Sequence, residues 1–275
     1  MCVTCGCSDD ANVTVTNPQT GEHTHVLADG TVVSHSHHHE HTHEHSGANE
    51  NANIHAKMHG TTISLEQNIL AKNDLLAAQN RGWFKGRNIL ALNLVSSPGS
   101  GKTTLLARTI EDLKNKVVIS VIEGDQATTN DADRIKSTGC PVIQINTGTG
   151  CHLDAQMVER GLQELNPPLN SIVMIENVGN LVCPALFDLG ESAKVAILSV
   201  TEGEDKPIKY PYMFRASQVM IINKIDLLPY VQFNVDRCIE YARQVNPHLQ
   251  VFQVSATTGT GLDTWYRWLV KNSPV

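Results

Sequence analysis

Ser96-Ser97-Pro98-Gly99-Ser100-Gly101-Lys102-Thr103-Thr104 places two glycines, a lysine and several hydroxyls at a spacing suited to a polyphosphate. Gly99 and Gly101 let backbone N–H groups close around phosphate oxygens. Lys102 adds a positive charge at the β/γ-phosphates, and the Thr103 hydroxyl is offered to Mg²⁺. Ser100 and Thr104 complete the loop. Ser96 stands where the usual pattern has its first glycine, six residues before the lysine.

Asn223-Lys224-Ile225-Asp226 is suited to reading a base. The Asp226 carboxylate is acceptor-only, so it matches the donors that guanine carries on N1 and N2; adenine has an acceptor at N1 and no N2 amine. Ser255-Ala256-Thr257, after the next apolar run, belongs to the same binding surface. With a phosphate loop upstream, the tetrad predicts a GTP site and a GTPase. Mg²⁺ requires carboxylates near the phosphates, and Glu123-Gly124-Asp125 and Glu176-Asn177-Val178-Gly179 sit at the ends of apolar runs. Asp125 is read as a direct or water-mediated Mg²⁺ ligand, and Glu176 with Gly179 as the γ-phosphate sensor. The competing reading of either acid is a helix cap or a solvated turn. Lys102, Asp125 and Glu176 are therefore the catalytic candidates. No catalytic Gln is identifiable: Gln126 lies nearby with nothing to fix its direction, so intrinsic hydrolysis is expected to be slow.

A second chemistry is carried by thiols and imidazoles. Cys151-His152 follows one apolar run, and Cys183 lies seven residues after Glu176. These are ligand types that Ni²⁺ and Zn²⁺ accept when deprotonated, although a lone Cys is more often a small buried hydrophobe. Three such ligands leave the coordination incomplete, which implies water or a second protomer. Cys2, Cys5 and Cys7 form Cys-x-x-Cys-Gly-Cys, able to wrap one soft or borderline ion; a redox motif and an iron–sulfur half-site are the alternatives. His23, His25, His35, His37, His38, His39, His41, His43 and His45 make an irregular tract that binds several ions without fixed geometry. Cys140 and Cys238 read as structural, and His55, His59 and His248 as solvated side chains.

These residues need a scaffold. Of 275 residues, 41% are hydrophobic, enough for one sizeable α/β core. Residues 1–60 hold seven acids against one base, −6 of the formal −7, with eleven of the thirteen His and no Phe, Tyr or Trp. Such a segment buries too little surface to offset ordering its backbone, so it is expected to be mostly disordered, with a small hairpin over Val26–Val33 through Asp29-Gly30. The GTPase domain is expected to occupy 61–275. Apolar runs at 89–95, 117–122, 142–145, 172–175, 195–200, 219–222 and 251–254 predict a mostly parallel sheet of about seven strands. Helical patterns at 103–115, 127–138, 152–165, 234–245 and 261–271 cover its two faces. A leading helix over 61–80 is expected to present Leu65, Ile69, Leu76 and Gln79 as a stripe. The charge pattern carries no nucleic-acid footprint, no run is long enough to span a bilayer, and the start lacks a secretory signal. A cytoplasmic protein with reduced thiols is expected.

The segments SSPGSGKTTLL, EGDQATTNDADRI, TGTGCHLDAQMV, IENVGNLVCPA and NKIDLLP resemble the hydrogenase nickel-incorporation GTPases, the HypB family, within a dimeric P-loop class that includes signal-recognition and nitrogenase-iron-type proteins. The resemblance covers about Thr61 to the C-terminus and the first seven residues. It implies GTP hydrolysis coupled to nickel delivery into a [NiFe]-hydrogenase large subunit, beside a small zinc-containing nickel chaperone of the HypA type. It further implies that Cys151, His152 and Cys183 form a metal site shared across a nucleotide-dependent homodimer, with Cys2, Cys5 and Cys7 as a high-affinity nickel motif. The His tract matches nickel storage in other members. The rivals are a GTPase inserting zinc, cobalt or urease nickel, and a metal-storage protein.

Overall fold

The computed structural model describes residues 15–16, 22–26, 32–36, 49–125 and 130–274, with side chains placed for 67–125 and 131–274. The chain divides into two compact units, Met1–Ile69 and Leu70–Val275. In the first, β1 (Val15–Thr16), β2 (Glu22–Val26) and β3 (Val32–Ser36) form an antiparallel sheet, with Glu22 opposite Ser36 and Val26 opposite Val32. The Val and Thr residues of these segments favour strands. The expected hairpin therefore has longer arms, and its Asp29-Gly30 turn lies outside the described residues.

Helix α1 (Asn49–Gly86) is longer than the 61–80 expected, and Gly60-Thr61 does not begin it. Its buried stripe also differs. Asn73, Ala77, Asn80 and Phe84 are buried at helical spacing, whereas Gln79 is exposed. Two of the four are polar, so apolar periodicity misses them. Asn73 Nδ2 donates to the Asp188 carbonyl at 2.8 Å and its Oδ1 accepts from Ala155 N at 2.9 Å; Asn80 Nδ2 donates to the Ala155 carbonyl at 2.8 Å. This end of α1 is thus packed on the sheet's own loops through satisfied buried amides.

The second unit alternates β4 (Leu90–Ser96), α2 (Lys102–Leu113), β5 (Ile119–Asp125), α3 (Asn130–Lys136), β6 (Val142–Asn146), α4 (Ala155–Leu165) and β7 (Ile172–Glu176). It continues through α5 (Cys183–Leu186), β8 (Ala193–Ser199), α6 (Lys206–Lys209), α7 (Pro211–Ala216), β9 (Val219–Asn223), α8 (Val235–Val245), β10 (Gln250–Gln253) and α9 (Leu262–Asn272). The strands lie in the order β10-β9-β8-β4-β7-β5-β6, and every neighbouring pair is parallel. All seven apolar runs of the second unit are strands. The short helices α5, α6 and α7 escape a periodicity reading because none completes two turns.

One face packs Leu105, Leu106, Ile110, Trp265 and Leu269 of α2 and α9 on Leu92, Leu94, Val121 and Met174. The other packs Phe84, Val158, Leu162, Phe214 and Ala242 on Ala91, Val95, Ile122 and Ile222. Strands buried on both sides read as continuous apolar runs, which is why they are legible. The topology brings the carboxyl ends of β4, β5, β6, β7 and β9 to one edge, where open α/β sheets bind ligands. Among the described residues, no helix is long and apolar enough to cross a membrane.

Candidate nucleotide and metal site

The phosphate loop joins β4 to α2. Ser96, at the position of the missing glycine, is buried at the end of β4 and donates through Oγ to the Ser97 carbonyl at 2.9 Å. Gly101 has φ 88°, and a Cβ there would come within 2.7 Å of Asn223 Nδ2. Only glycine meets both conditions.

Asn223 explains the closeness. Its Nδ2 donates to the Ser100 carbonyl at 3.0 Å and its Oδ1 accepts from Ala256 N at 3.1 Å, while Lys224, at φ 62°, donates through Nζ to the Gly99 carbonyl at 2.7 Å. The tetrad, the phosphate loop and the Ser255-Ala256 segment are therefore tied together by the protein itself. Asp226 Oδ1 is buried with no hydrogen-bond partner, which suits a ligand carrying N–H donors.

Beneath the loop, Glu176 at the end of β7 accepts at one oxygen, Oε1, from Lys102 Nζ at 2.8 Å and from Thr103 Oγ1 at 2.6 Å. These are the two donors that a nucleotide phosphate and its Mg²⁺ would claim. Gly179 packs on Pro98 so closely that a Cβ would sit 3.1 Å from the proline ring. Two further groups stand here. Glu123 pairs in register with Glu176 across β5 and β7 and is 2% exposed; Glu123 Oε2 and Glu176 Oε2 are both buried without partners. Lys206 reaches the loop from beyond β8, with Nζ 3.2 Å from Ser97 Oγ and paired to Glu202 at 3.2 Å. Sequence reasoning passed over Lys206 because only its position after a sheet strand marks it.

Burial, then the charges of Glu176 and Asp125, push the Glu123 carboxyl up to about 8 from 4.5. A raised carboxyl pKa contributes stability fully present below the unfolded value and lost as pH rises through the folded one. Nucleotide-free protein should therefore lose stability between about pH 4.5 and about 8, and Glu123→Gln should flatten that slope. Thermal midpoints across this range provide the check. Equal slopes in the two proteins would refute it.

The thiols and the imidazole meet next to this pocket. Cys151, His152 and Cys183 place their ligand atoms within 4.8 Å of one another. Cys151 Sγ lies 3.0 Å from Cys183 Sγ and 3.6 Å from His152 Nδ1. Cys183 is buried at the start of α5, and the His152 ring rests on Phe187 with centroids 4.0 Å apart. Burial lowers the His152 pKa, with Asp154 opposing, and so favours the neutral, ligating imidazole. The Cys151 loop hangs from β5: Thr147 N donates to the Asp125 carbonyl at 2.9 Å. Asn180 Nδ2 donates to the Cys151 carbonyl at 3.3 Å, and its Oδ1 accepts from Val182 N at 2.8 Å, linking the two halves of the cluster. Two thiols and an imidazole form a donor set for a borderline divalent ion.

Cys140 and Cys238 are elsewhere, each buried and pushed up to about 12 by that burial. Cys2, Cys5, Cys7, Gln126 and His37 to His45 lie outside the described residues, as do the side chains of His23, His25, His35, His55 and His59.

Residues 90–253 match the family model described as CobW/HypB/UreG, nucleotide-binding domain. The chain is 48% identical to a hydrogenase maturation factor HypB of Cupriavidus necator, covering 98% of this chain and 88% of that one. It is 61% identical to a HypB of Rhizobium leguminosarum bv. viciae, covering 75% and 69%. Among solved structures, HypB from Helicobacter pylori in complex with nickel superposes with a TM-score of 0.68 at 36% identity, covering 73% of this chain and 94% of that one.

Proposed function

The chain belongs to the HypB hydrogenase maturation factors of the CobW/HypB/UreG family, and on that premise we propose that it is a GTP-hydrolysing nickel metallochaperone in which nucleotide state controls the grip on the ion. The observation that carries the reading is the shared position of Glu176: it holds Lys102 and Thr103 at one end of a segment whose other end is Cys183.

Gly99, Ser100, Gly101, Lys102, Thr103 and Thr104 cradle the phosphates, and Asn223, Lys224, Asp226, Ser255 and Ala256 hold the guanine. Thr103 and Asp125 would hold Mg²⁺, which would supply charge neutralisation at the phosphates. As GTP enters, Lys102 and Thr103 turn from Glu176 to the phosphate side, and Glu176 and Gly179 reorganise toward the γ-phosphate. Asp125, whose carbonyl accepts from Thr147 N where the Cys151 loop leaves β6, is placed to feel the same event. Cys151, His152 and Cys183 hold the nickel as cargo, and movement of the 176–183 segment changes their separation. By linkage, whatever GTP does to nickel affinity, nickel does to GTP affinity.

The nickel-bound Helicobacter pylori relative supports nickel as the ion. The incomplete three-ligand set supports a homodimer that pairs two clusters when GTP is bound. Residues 1–60, with Cys2, Cys5, Cys7 and the His tract, serve as a second nickel store in front of the GTPase domain. A [NiFe]-hydrogenase large subunit is the recipient, with a HypA-type zinc-containing chaperone alongside, in the cytoplasm. The test is nickel titration of the full chain with GDP and with a non-hydrolysable GTP analogue, followed by transfer to metal-free hydrogenase large subunit. Unequal affinities and GTP-dependent transfer are expected; equal affinities, with transfer indifferent to Lys102→Ala, would end the proposal.

A further inference from the structure

Between the nucleotide pocket and the metal cluster runs a chain of buried polar side chains. Asn177 directly follows Glu176. Its Oδ1 accepts from Leu153 N and from Val178 N, both at 3.0 Å, so it grips the backbone one residue beyond Cys151-His152. Its Nδ2 donates to Asn93 Oδ1 at 3.2 Å, and Asn93 Nδ2 donates to Glu191 Oε1 at 3.1 Å. Glu191 Oε1 lies 3.5 Å from Lys194 Nζ, and that ammonium donates to the Pro184 carbonyl at 2.5 Å and the Phe187 carbonyl at 3.2 Å. Those carbonyls follow Cys183 within and just past α5.

We propose that Asn177, Asn93 and the Glu191–Lys194 pair form a relay that sets the position of Cys183 relative to Cys151 and His152 according to the occupancy of the nucleotide site. These are positioning residues, and the inference rests on the nucleotide–metal coupling proposed above.

Three features favour this over simple core filling. Asn93 and Asn177 are fully buried and Lys194 is 5% exposed, at positions where aliphatic side chains would fill the same space at no polar cost. The shortest bonds of Lys194 go to the α5 backbone and not to its carboxylate partner, so the cation anchors the helix that carries Cys183. The relay is also continuous: Asn177 accepts from the Leu153 and Val178 backbone and donates to Asn93, which in turn donates to Glu191. A network of this kind is stable when complete and costly when partly broken, which favours discrete arrangements over gradual ones. It meets the nucleotide site at the peptide linking Glu176 to Asn177, where the loss of Lys102 and Thr103 is felt, and through Asn93 on β4, the strand that leads into the phosphate loop. The measurement that tests the relay reads coupling directly.

The experiment uses the full chain carrying Cys2→Ser, Cys5→Ser and Cys7→Ser, so that the thiolate-to-nickel charge-transfer band reports only the domain cluster. Nickel affinity is titrated with GDP and with the non-hydrolysable analogue, in this background and with Asn93→Leu or Lys194→Met added. The background protein is expected to show an affinity ratio between the two states on the order of 5- to 150-fold. In both variants the ratio should fall to within about twofold of unity while the band persists with GDP and nucleotide affinity changes less than about twofold. Should Asn93→Leu fail to fold, Lys194→Met at the other end of the relay asks the same question. A ratio kept in the variants overturns the relay alone, as does loss of the band in both nucleotide states, which marks a merely structural anchor. A ratio of one in the background protein removes the coupling itself, and the relay with it.

Discussion

Asp226→Asn should convert this GTPase into a protein that prefers a xanthine nucleotide. Asp226 Oδ1 is buried with no protein hydrogen-bond partner, an acceptor suited to a ligand N–H. An asparagine keeps one acceptor but replaces the other with an N–H₂, which faces the guanine N2 amine donor to donor. Each mismatched buried group costs about 1–3 kcal/mol, so GTP affinity is expected to fall roughly 10²- to 10³-fold. Xanthine has a carbonyl in place of that amine, so the same amide recovers binding. Competition of GTP and XTP for a fluorescent nucleotide, in wild type and variant, measures both effects. A variant that still prefers GTP would mean that the base lies elsewhere. The tie between Asn223 and the Ser100 carbonyl is untouched by the substitution, so the phosphate loop should keep its shape.

Cys183→Ala should remove the nickel site of the domain while sparing the nucleotide site. The cluster has three donors, and Cys183 is the one held at the buried start of α5. Changes beyond the ligands of a metal typically cost 10- to 100-fold, so deleting a ligand is expected to cost about 10²-fold or more. The substitution leaves two of the three donors, Cys151 and His152, both on the loop after β6. In a chain with Cys2, Cys5 and Cys7 replaced by Ser, loss of the thiolate-to-nickel band with unchanged GTP binding is the expected result. Retention of the band at full intensity would place the nickel elsewhere. GTP-driven assembly, followed by sedimentation with and without nickel, should weaken in parallel if two clusters meet across a dimer.

These outcomes rest on residues that were legible to different degrees. Gly99, Gly101, Lys102, Thr103 and the 223–226 tetrad are recognisable because phosphate and guanine impose contiguous requirements on one short segment each. The five inner strands are recognisable because burial on both faces leaves mostly apolar runs, while the edge strands β6 and β10 keep only short ones. The stripe of α1 was misread for the opposite reason: Asn73 and Asn80 are buried by virtue of carbonyls contributed from Asp188 and Ala155, far along the chain. Lys194, an ordinary surface residue by type, is buried for the same cause, its ammonium satisfied by the Pro184 and Phe187 carbonyls.

By itself the sequence determined the class of chemistry here: a guanine nucleotide, a divalent cofactor and a thiolate–imidazole donor set, each encoded by side chains whose type and local spacing limit what they can bind. Only the tertiary structure decided that Cys151, His152 and Cys183 stand together, that Glu176 takes both Lys102 and Thr103, and that Asn223 stitches the base-reading tetrad to the phosphate loop. The reason is the parallel topology. β7 lies between β4 and β5, so segments separated by dozens of residues leave the sheet at adjacent points of one edge. Local pattern records what each residue can bind; strand order determines which of them meet.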